Sequence, residues 1–409
     1  MKRPIAISLS PNLENKDVLF AFQVLFSPLQ FFKGQGIKLL EQWFRQYFDV
    51  SYAVSFTSGR GAMVAILRSL GVGKEDEVLL QSFTCVAVPN AIIATGAMPI
   101  YVDIVDSLTI DTEDLQKKIS KKTKAIIVQY TFGIPADIKE IVRIGKKYNI
   151  AVIEDCADVV GGVYENKKLG SFGDAAFFSF GRDKACSSVF GGVAITNNKM
   201  LGLAIRQFQK QQDYPSFFWV MQQLFHPIAF FFILPLYNFA SLGKVLLVVL
   251  QKFHLLSLPV LQEEKEGKSL SVFIKKLPNA LSCLALFQLK RINEFNQKRE
   301  VVVEMYLREL RNSTYKIPYK KSFPLLRFPL LVEKRDELIA ILKKNGVYIG
   351  KWYAEIIDPK GVDYKKIFYQ RGSCPNAEYI ATKIINLPTY PTMTGEDVQK
   401  IIPLIKKYA

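Results

Sequence analysis

Val152-Ile153-Glu154-Asp155, followed by Ser179-Phe180-Gly181-Arg182-Asp183-Lys184, decides how this chain is read. The apolar run ending in a carboxylate reads as a buried strand, and Lys184 lies 29 residues after Asp155. A lysine ε-amine can form a Schiff base with an aldehyde cofactor. A carboxylate beside a pyridine nitrogen keeps that nitrogen protonated, so the ring can accept electrons. Lys184 and Asp155 therefore point to pyridoxal phosphate (PLP). A single lysine after a strand is ordinarily a solvated surface group, so the surrounding sequence must support the pairing.

That support is a phosphate site and a matching architecture. Thr57-Ser58-Gly59-Arg60-Gly61-Ala62 follows the strand-like Tyr52-Ala53-Val54-Ser55-Phe56 and opens a helical run from Met63 to Leu70, closed by Gly71. A glycine-bearing helix start offers free amides and a favourable dipole to a phosphate. Ser179, five residues before Lys184, can donate a further hydrogen bond. Strand-like runs such as Ala125-Ile126-Ile127-Val128 and Ala151-Val152-Ile153 alternate with helical ones such as Ile138 to Tyr148. Such alternation predicts an α/β fold with a parallel sheet covered by helices.

From about Gly36 to Tyr408 the chain resembles the DegT/StrS sugar aminotransferases. The matching stretches include Ser58-Gly59, Glu75-Asp76-Glu77-Val78, Gly96-Ala97-Met98-Pro99, Gly133-Ile134-Pro135-Ala136-Asp137 and Glu154-Asp155-Cys156-Ala157. Gly170-Ser171-Phe172-Gly173-Asp174-Ala175, Lys184, Gly191-Gly192 and Leu387-Pro388-Thr389-Tyr390-Pro391 continue the series in order. The resemblance implies PLP fold type I, with a large domain around a mostly parallel central sheet and a smaller C-terminal α/β domain. It implies Lys184 as Schiff-base lysine and proton shuttle, Asp155 on the pyridine nitrogen, and Ser179 with Ser58-Gly59 on the phosphate. It also implies a homodimer, glutamate or glutamine as amino donor, and a nucleotide-linked keto sugar as acceptor, in cell-surface polysaccharide assembly. Family dehydratases carry histidine in place of the lysine, so the intact Lys184 selects transamination.

Several positions depart from the family pattern. Cys85 stands where an aromatic residue usually stacks on the PLP ring, and Asp158 where a glutamine or histidine approaches the ring oxygen. The usual Ser-Gly-Thr is here Ser58-Gly59-Arg60, and Arg60 offers a guanidinium to a phosphate. An asparagine that often reaches the neighbouring subunit's phosphate falls at Ile274.

Residue scarcity removes rival chemistries. The two histidines, His226 and His254, lie in a hydrophobic stretch away from the polar motifs, which argues against a histidine-based zinc site or a Ser-His-Asp triad. Cys85, Cys156, Cys186, Cys283 and Cys374 form no CxxC pair and fit reduced thiols. Met1 to Asn15 lacks an apolar core of signal length, so the active site is expected to face the cytoplasm.

Between Asp213 and Lys244 lie thirty residues without one Asp, Glu, Lys or Arg, including Phe217-Phe218-Trp219 and Phe230-Phe231-Phe232. Pro227 and Pro235 are expected to break or kink any helix through this run. Cofactor residues precede it and the small domain follows it, so zero or two membrane crossings are compatible with one active site. The reading is a proline-broken hairpin in one leaflet, with Asp17 to Phe32 against the same surface; the alternative is a buried core or interface insertion. The expected divisions are 1–213 for the PLP-binding domain, 214–262 for the membrane-associating insertion and 263–409 for the small domain. A formal charge of +17 fits anionic headgroups and a phosphate-bearing substrate, and no nucleic-acid motif accompanies it. A sugar on a polyprenyl carrier is the alternative substrate, and a non-catalytic PLP-binding sensor or scaffold the alternative function.

Overall fold

A computed structural model describes residues 3–258, 260–268, 271–311 and 315–408. Seven strands form the central sheet, in the order Tyr52–Phe56, Gly192–Thr196, Ala175–Ser179, Ala151–Cys156, Thr123–Gln129, Glu77–Gln81, Met98–Val102. Only Gly192–Thr196 among them runs antiparallel to its neighbours. The parallel strands are buried almost throughout, which is why they read as continuous apolar runs rather than alternating ones.

A second, smaller α/β region is built on the antiparallel pair Arg327–Leu331 and Ile384–Pro388, beside helices Arg335–Lys344, Pro375–Lys383 and Gly395–Tyr408. Short parallel pairings tie the parts together. Ile5–Ala6 pairs with Val347–Tyr348, and Ile357–Asp358 pairs with Thr84–Cys85 beside the cavity described below. The architecture is the expected α/β arrangement with a mostly parallel central sheet.

Two local expectations are corrected. The stretch Ala280 to Leu310, whose sequence suggests one continuous helix, is divided into Asn279–Leu289 and Ile292–Leu310. Arg291 leaves helical geometry at the junction, and its guanidinium is held by Glu14 and Asp17 at the start of the Asn15–Leu25 helix. The prolines do not break the hydrophobic run either: Phe217–Leu236 is one helix through Pro227 and Pro235. Proline at 227 removes a single N–H, the one that would reach the Gln223 carbonyl. Val220 and Leu224 before Pro227, and Ala229 and Ile233 after it, are buried in the fold, so packing supports the helix on both sides of the proline.

Leu242–Lys252 packs back on this helix to complete an apolar hairpin, and Asn15–Leu25 lies along it. The hairpin's outer side is uncovered: Phe218 is 80% exposed, Phe232 57% and Phe253 70%. Phe26, at the end of the neighbouring N-terminal helix, is 70% exposed. Phe217–Leu236 is the one helix among the described residues long and apolar enough to cross a membrane, and half of its most apolar window is buried in the fold.

Candidate active site

The carboxyl ends of the parallel strands open into a cavity of about 560 Å³, the place where α/β sheets bind ligands. Strand parity separates the two acids of Glu154-Asp155, since successive side chains point to opposite faces. Glu154 accepts hydrogen bonds from the amides of Gly170, Phe172 and Gly173 at 2.6–2.7 Å and from the Tyr130 hydroxyl at 2.5 Å. It is a structural carboxylate. Asp155 faces the other way, lines the cavity, and accepts from the Ala157 amide at 2.9 Å. Burial pushes its pKa up to about 7, with the Ala157 amide and Lys184 opposing and Asp158 reinforcing.

Lys184 follows Ala175–Ser179, the neighbouring strand, and its Nζ donates to Asp158 Oδ1 at 2.7 Å. Burial pulls the amine down, but Asp158 and Asp183 more than offset this and leave it above the ordinary lysine value. Burial pushes Asp158 up, yet Lys184 and Arg327 together hold it below the ordinary aspartate range. The pair is an ammonium–carboxylate bond, so the amine must shed its proton before it can act as a nucleophile.

Ser58 caps the helix Gly59–Ser69, accepting from the Gly61 amide at 3.0 Å while donating to the Phe273 carbonyl at 2.7 Å. Two glycines make the cradle possible. A Cβ on Gly192 would meet the Gly59 nitrogen at 2.4 Å, and one on Gly59 would press on Ser179 Cβ at 3.0 Å. Because neither carries one, the N-terminal end of the Gly59–Ser69 helix sits against Ser179. A lysine amine, a buried carboxylate and an anion-binding helix start lining one cavity fit PLP: Lys184 for the aldehyde, Asp155 for the ring nitrogen, Ser179 and the Gly59 end for the phosphate.

The departures from the family pattern have distinct outcomes. Arg60 lines the cavity but its Nε lies 2.8 Å from Glu264 Oε1, and its guanidinium sits 4.4 Å over the Phe273 ring, so its charge is already matched. Cys85 lines the cavity, and burial pushes its thiol up to about 11, so it is a neutral wall rather than a nucleophile. Ile274 lies beside Gly61 of its own chain, 3.3 Å from where a Cβ would stand.

Sequence reading missed four residues at the site. Arg327, buried on a small-region strand, donates to Asp183 Oδ2 at 2.6 Å and stacks 3.8 Å over Trp352. Arg299 and Asn12 brace the lysine's backbone: Arg299 donates to the Ala185 carbonyl at 2.7 Å and to Asn12 Oδ1 at 2.9 Å, while Asn12 donates to the Lys184 carbonyl. His226 was expected away from the polar motifs, but it lines this cavity and is 2.9 Å from Ser10 Oγ. Helical periodicity turns it inward from an otherwise apolar run, a direction that hydrophobicity alone does not show.

The fold and cavity are those of a PLP enzyme of fold type I. The sequence profile of the DegT/DnrJ/EryC1/StrS aminotransferase family matches residues 15–216 and 250–406, and the chain belongs to this family. It is a PLP-dependent aminotransferase. GDP-perosamine synthase of Escherichia coli O157:H7 is 27% identical over 407 residues, covering 97% of each chain. Helicobacter pylori PseC, an aminotransferase of pseudoaminic acid biosynthesis, superposes with a TM-score of 0.77 at 21% identity, covering 99% of both chains. NtdA of Bacillus subtilis, solved with bound PMP, gives 0.75 at 22% identity over 99% of this chain and 84% of its own.

Proposed function

We propose that this enzyme moves an amino group from glutamate or glutamine to a nucleotide-linked keto sugar in cell-surface polysaccharide assembly, as a homodimer seated on the inner face of the membrane. The observation that carries the chemistry is Lys184 on Asp158 at 2.7 Å, in one cavity with Asp155 and the Gly59 helix start. Bound PLP supplies an electron sink and a temporary store for the amino group. Lys184 Nζ would hold the cofactor and, when not bonded to it, would accept and return a proton. Asp155 would keep the ring nitrogen protonated. Asp158 sets the charge of the lysine, and Arg327, bonded to Asp183 at 2.6 Å, lines the same cavity. The names of GDP-perosamine synthase and PseC support a sugar as acceptor.

The test is spectroscopic. Glutamate should bleach the visible band of the purified yellow enzyme, and a nucleotide-linked keto sugar should restore it with formation of an amino sugar. A yellow protein indifferent to every amino donor would favour the sensor reading instead.

Membrane seating is supported by the hairpin's uncovered apolar side and by its dimensions. Phe217–Leu236 has 20 residues, enough to span, but the returning Leu242–Lys252 has 11, and a span needs about 20. A hairpin dipping into one leaflet fits both lengths and keeps the two parts of the active site together. Phe230 is buried against His226, whereas Phe218, Phe231 and Phe232 are exposed, so the last three are the residues to change. The triple replacement Phe218→Ser, Phe231→Ser, Phe232→Ser should move the protein from sedimenting membranes to the soluble fraction with its PLP spectrum intact. Each buried Phe contributes about 1.5–3 kcal/mol to such partitioning. Wild-type protein soluble without detergent, with cofactor lost in the variant, would make the hairpin a core element.

A further inference from the structure

The charge pairing around the cavity leaves one guanidinium over. Arg60 faces Glu264 at 2.8 Å, Arg327 faces Asp183 at 2.6 Å and Lys184 faces Asp158 at 2.7 Å. Arg182, two residues before Lys184, has no carboxylate in ion-pair contact among the described residues. Its Nη2 donates to the Ser257 hydroxyl, its guanidinium lies 5.3 Å over the Phe190 ring, and its Nε has no hydrogen-bond partner among the described residues. Burial pulls its pKa down to about 10, with Asp183 opposing. Neighbouring His226 is held neutral by its own burial and by Arg182, so it adds no competing charge. A part-buried guanidinium with no carboxylate in contact gains from an incoming anion.

The partner of Arg182 belongs to the apolar hairpin region. Ser257 follows Leu242–Lys252 and donates in turn to Gln223 Oε1, on the Phe217–Leu236 helix, at 2.7 Å. Phe230, Leu247, Gln251 and Leu256 line the same cavity as Lys184. The family profile does not match residues 217–249, which hold Phe230 and Leu247 of this wall, whereas Gln251, Leu256 and Ser257 fall in its second matched stretch. The cofactor phosphate is served elsewhere, by the Gly59 helix start and Ser179.

We propose that Arg182, held by Ser257, binds the diphosphate that joins the acceptor sugar to its carrier, making the hairpin a wall of the acceptor site. This rests on the sugar aminotransferase reading above. A guanidinium takes phosphate oxygens bidentately, and a diphosphate brings the charge that Arg182 lacks. A nucleotide and a polyprenyl carrier present the same diphosphate. The probes therefore have to separate them.

The experiment is calorimetric titration of PLP-loaded enzyme with GDP, TDP and, in detergent, farnesyl diphosphate. Wild type should bind at least one of them, and the one preferred identifies the carrier as nucleotide or lipid. Arg182→Gln should weaken that binding by at least about tenfold, Arg182→Lys by less, and Ser257→Ala by an intermediate factor. Cofactor content and bleaching by glutamate should be unchanged in all three variants. Equal affinity in Arg182→Gln, or no binding of any probe to wild type, overturns the assignment. Loss of PLP from Arg182→Gln also overturns it, because the guanidinium would then belong to the cofactor phosphate. Wild type that binds no diphosphate but bleaches with glutamate defeats this inference alone, whereas wild type unresponsive to glutamate defeats the aminotransferase reading beneath it.

Discussion

Lys184→Ala is expected to lower turnover by about 10⁴-fold or more, since it removes both the covalent anchor and the proton carrier. Borohydride reduction of the wild type should fix the cofactor on the peptide containing Lys184, and the variant should release its cofactor on gel filtration. Removing the amine also strips Asp158 of the partner at 2.7 Å, leaving Arg327 as its remaining basic neighbour. Lys184→Arg is the control for that loss: it keeps a positive charge beside Asp158 but cannot give up a proton near neutral pH. If the arginine variant folds with wild-type stability and is equally inactive, the defect is chemical rather than structural. A reduced cofactor mapped to another lysine, or a variant retaining a few per cent of wild-type turnover, would remove Lys184 from its role.

What could be read from the sequence was whatever the chain places locally. A parallel strand fixes the parity of Glu154 and Asp155, the next strand in the sheet carries Ser179, and a short loop brings Lys184 into the same cavity. The whole set lies within residues 154–184, on two adjacent strands and the loop that follows, so sequence order is nearly spatial order. Arg327 could not be found this way, because it meets Asp183 from 144 residues away through packing between the two regions. Arg299 and Asn12 are further cases: one lies on the second of two helices and the other near the N-terminus, and only the folded chain brings both to the backbone of Lys184.

The hairpin shows a different limit. Its hydrophobicity is plain in the sequence, but composition does not say which side of a helix is covered. Phe230 and Phe231 are neighbours, yet helical geometry puts Phe230 on His226 at the cavity wall and leaves Phe231 outside. Proline was read too strongly for a similar reason. One lost hydrogen bond at Pro227 is small beside the packing of a helix buried along half its length.

Asp155→Asn is expected to leave the fold intact and slow turnover by about 10²–10⁴-fold, because a neutral amide cannot keep the ring nitrogen protonated. The same substitution has a signature in the cofactor-free protein that does not depend on activity. Burial lifts the Asp155 carboxyl in the folded chain from its ordinary 3.8 to about 7. The folded state therefore keeps a proton that the unfolded state has released between those values. The associated stability is fully present below about pH 4 and is lost as pH rises to 7, up to about 4 kcal/mol in all. Urea unfolding of the cofactor-free wild type should thus show stability falling across that window relative to Asp155→Asn, which has no proton to lose. Cofactor binding should erase the difference in slope, since the charged carboxylate then faces a protonated nitrogen. If the two cofactor-free proteins instead run parallel from pH 4 to 7, Asp155 is not the enclosed acid described here. Near-normal turnover in the variant would pass the proton-holding role to Asp158, three residues on, whose bond to Lys184 would then have to break for the ring to be held.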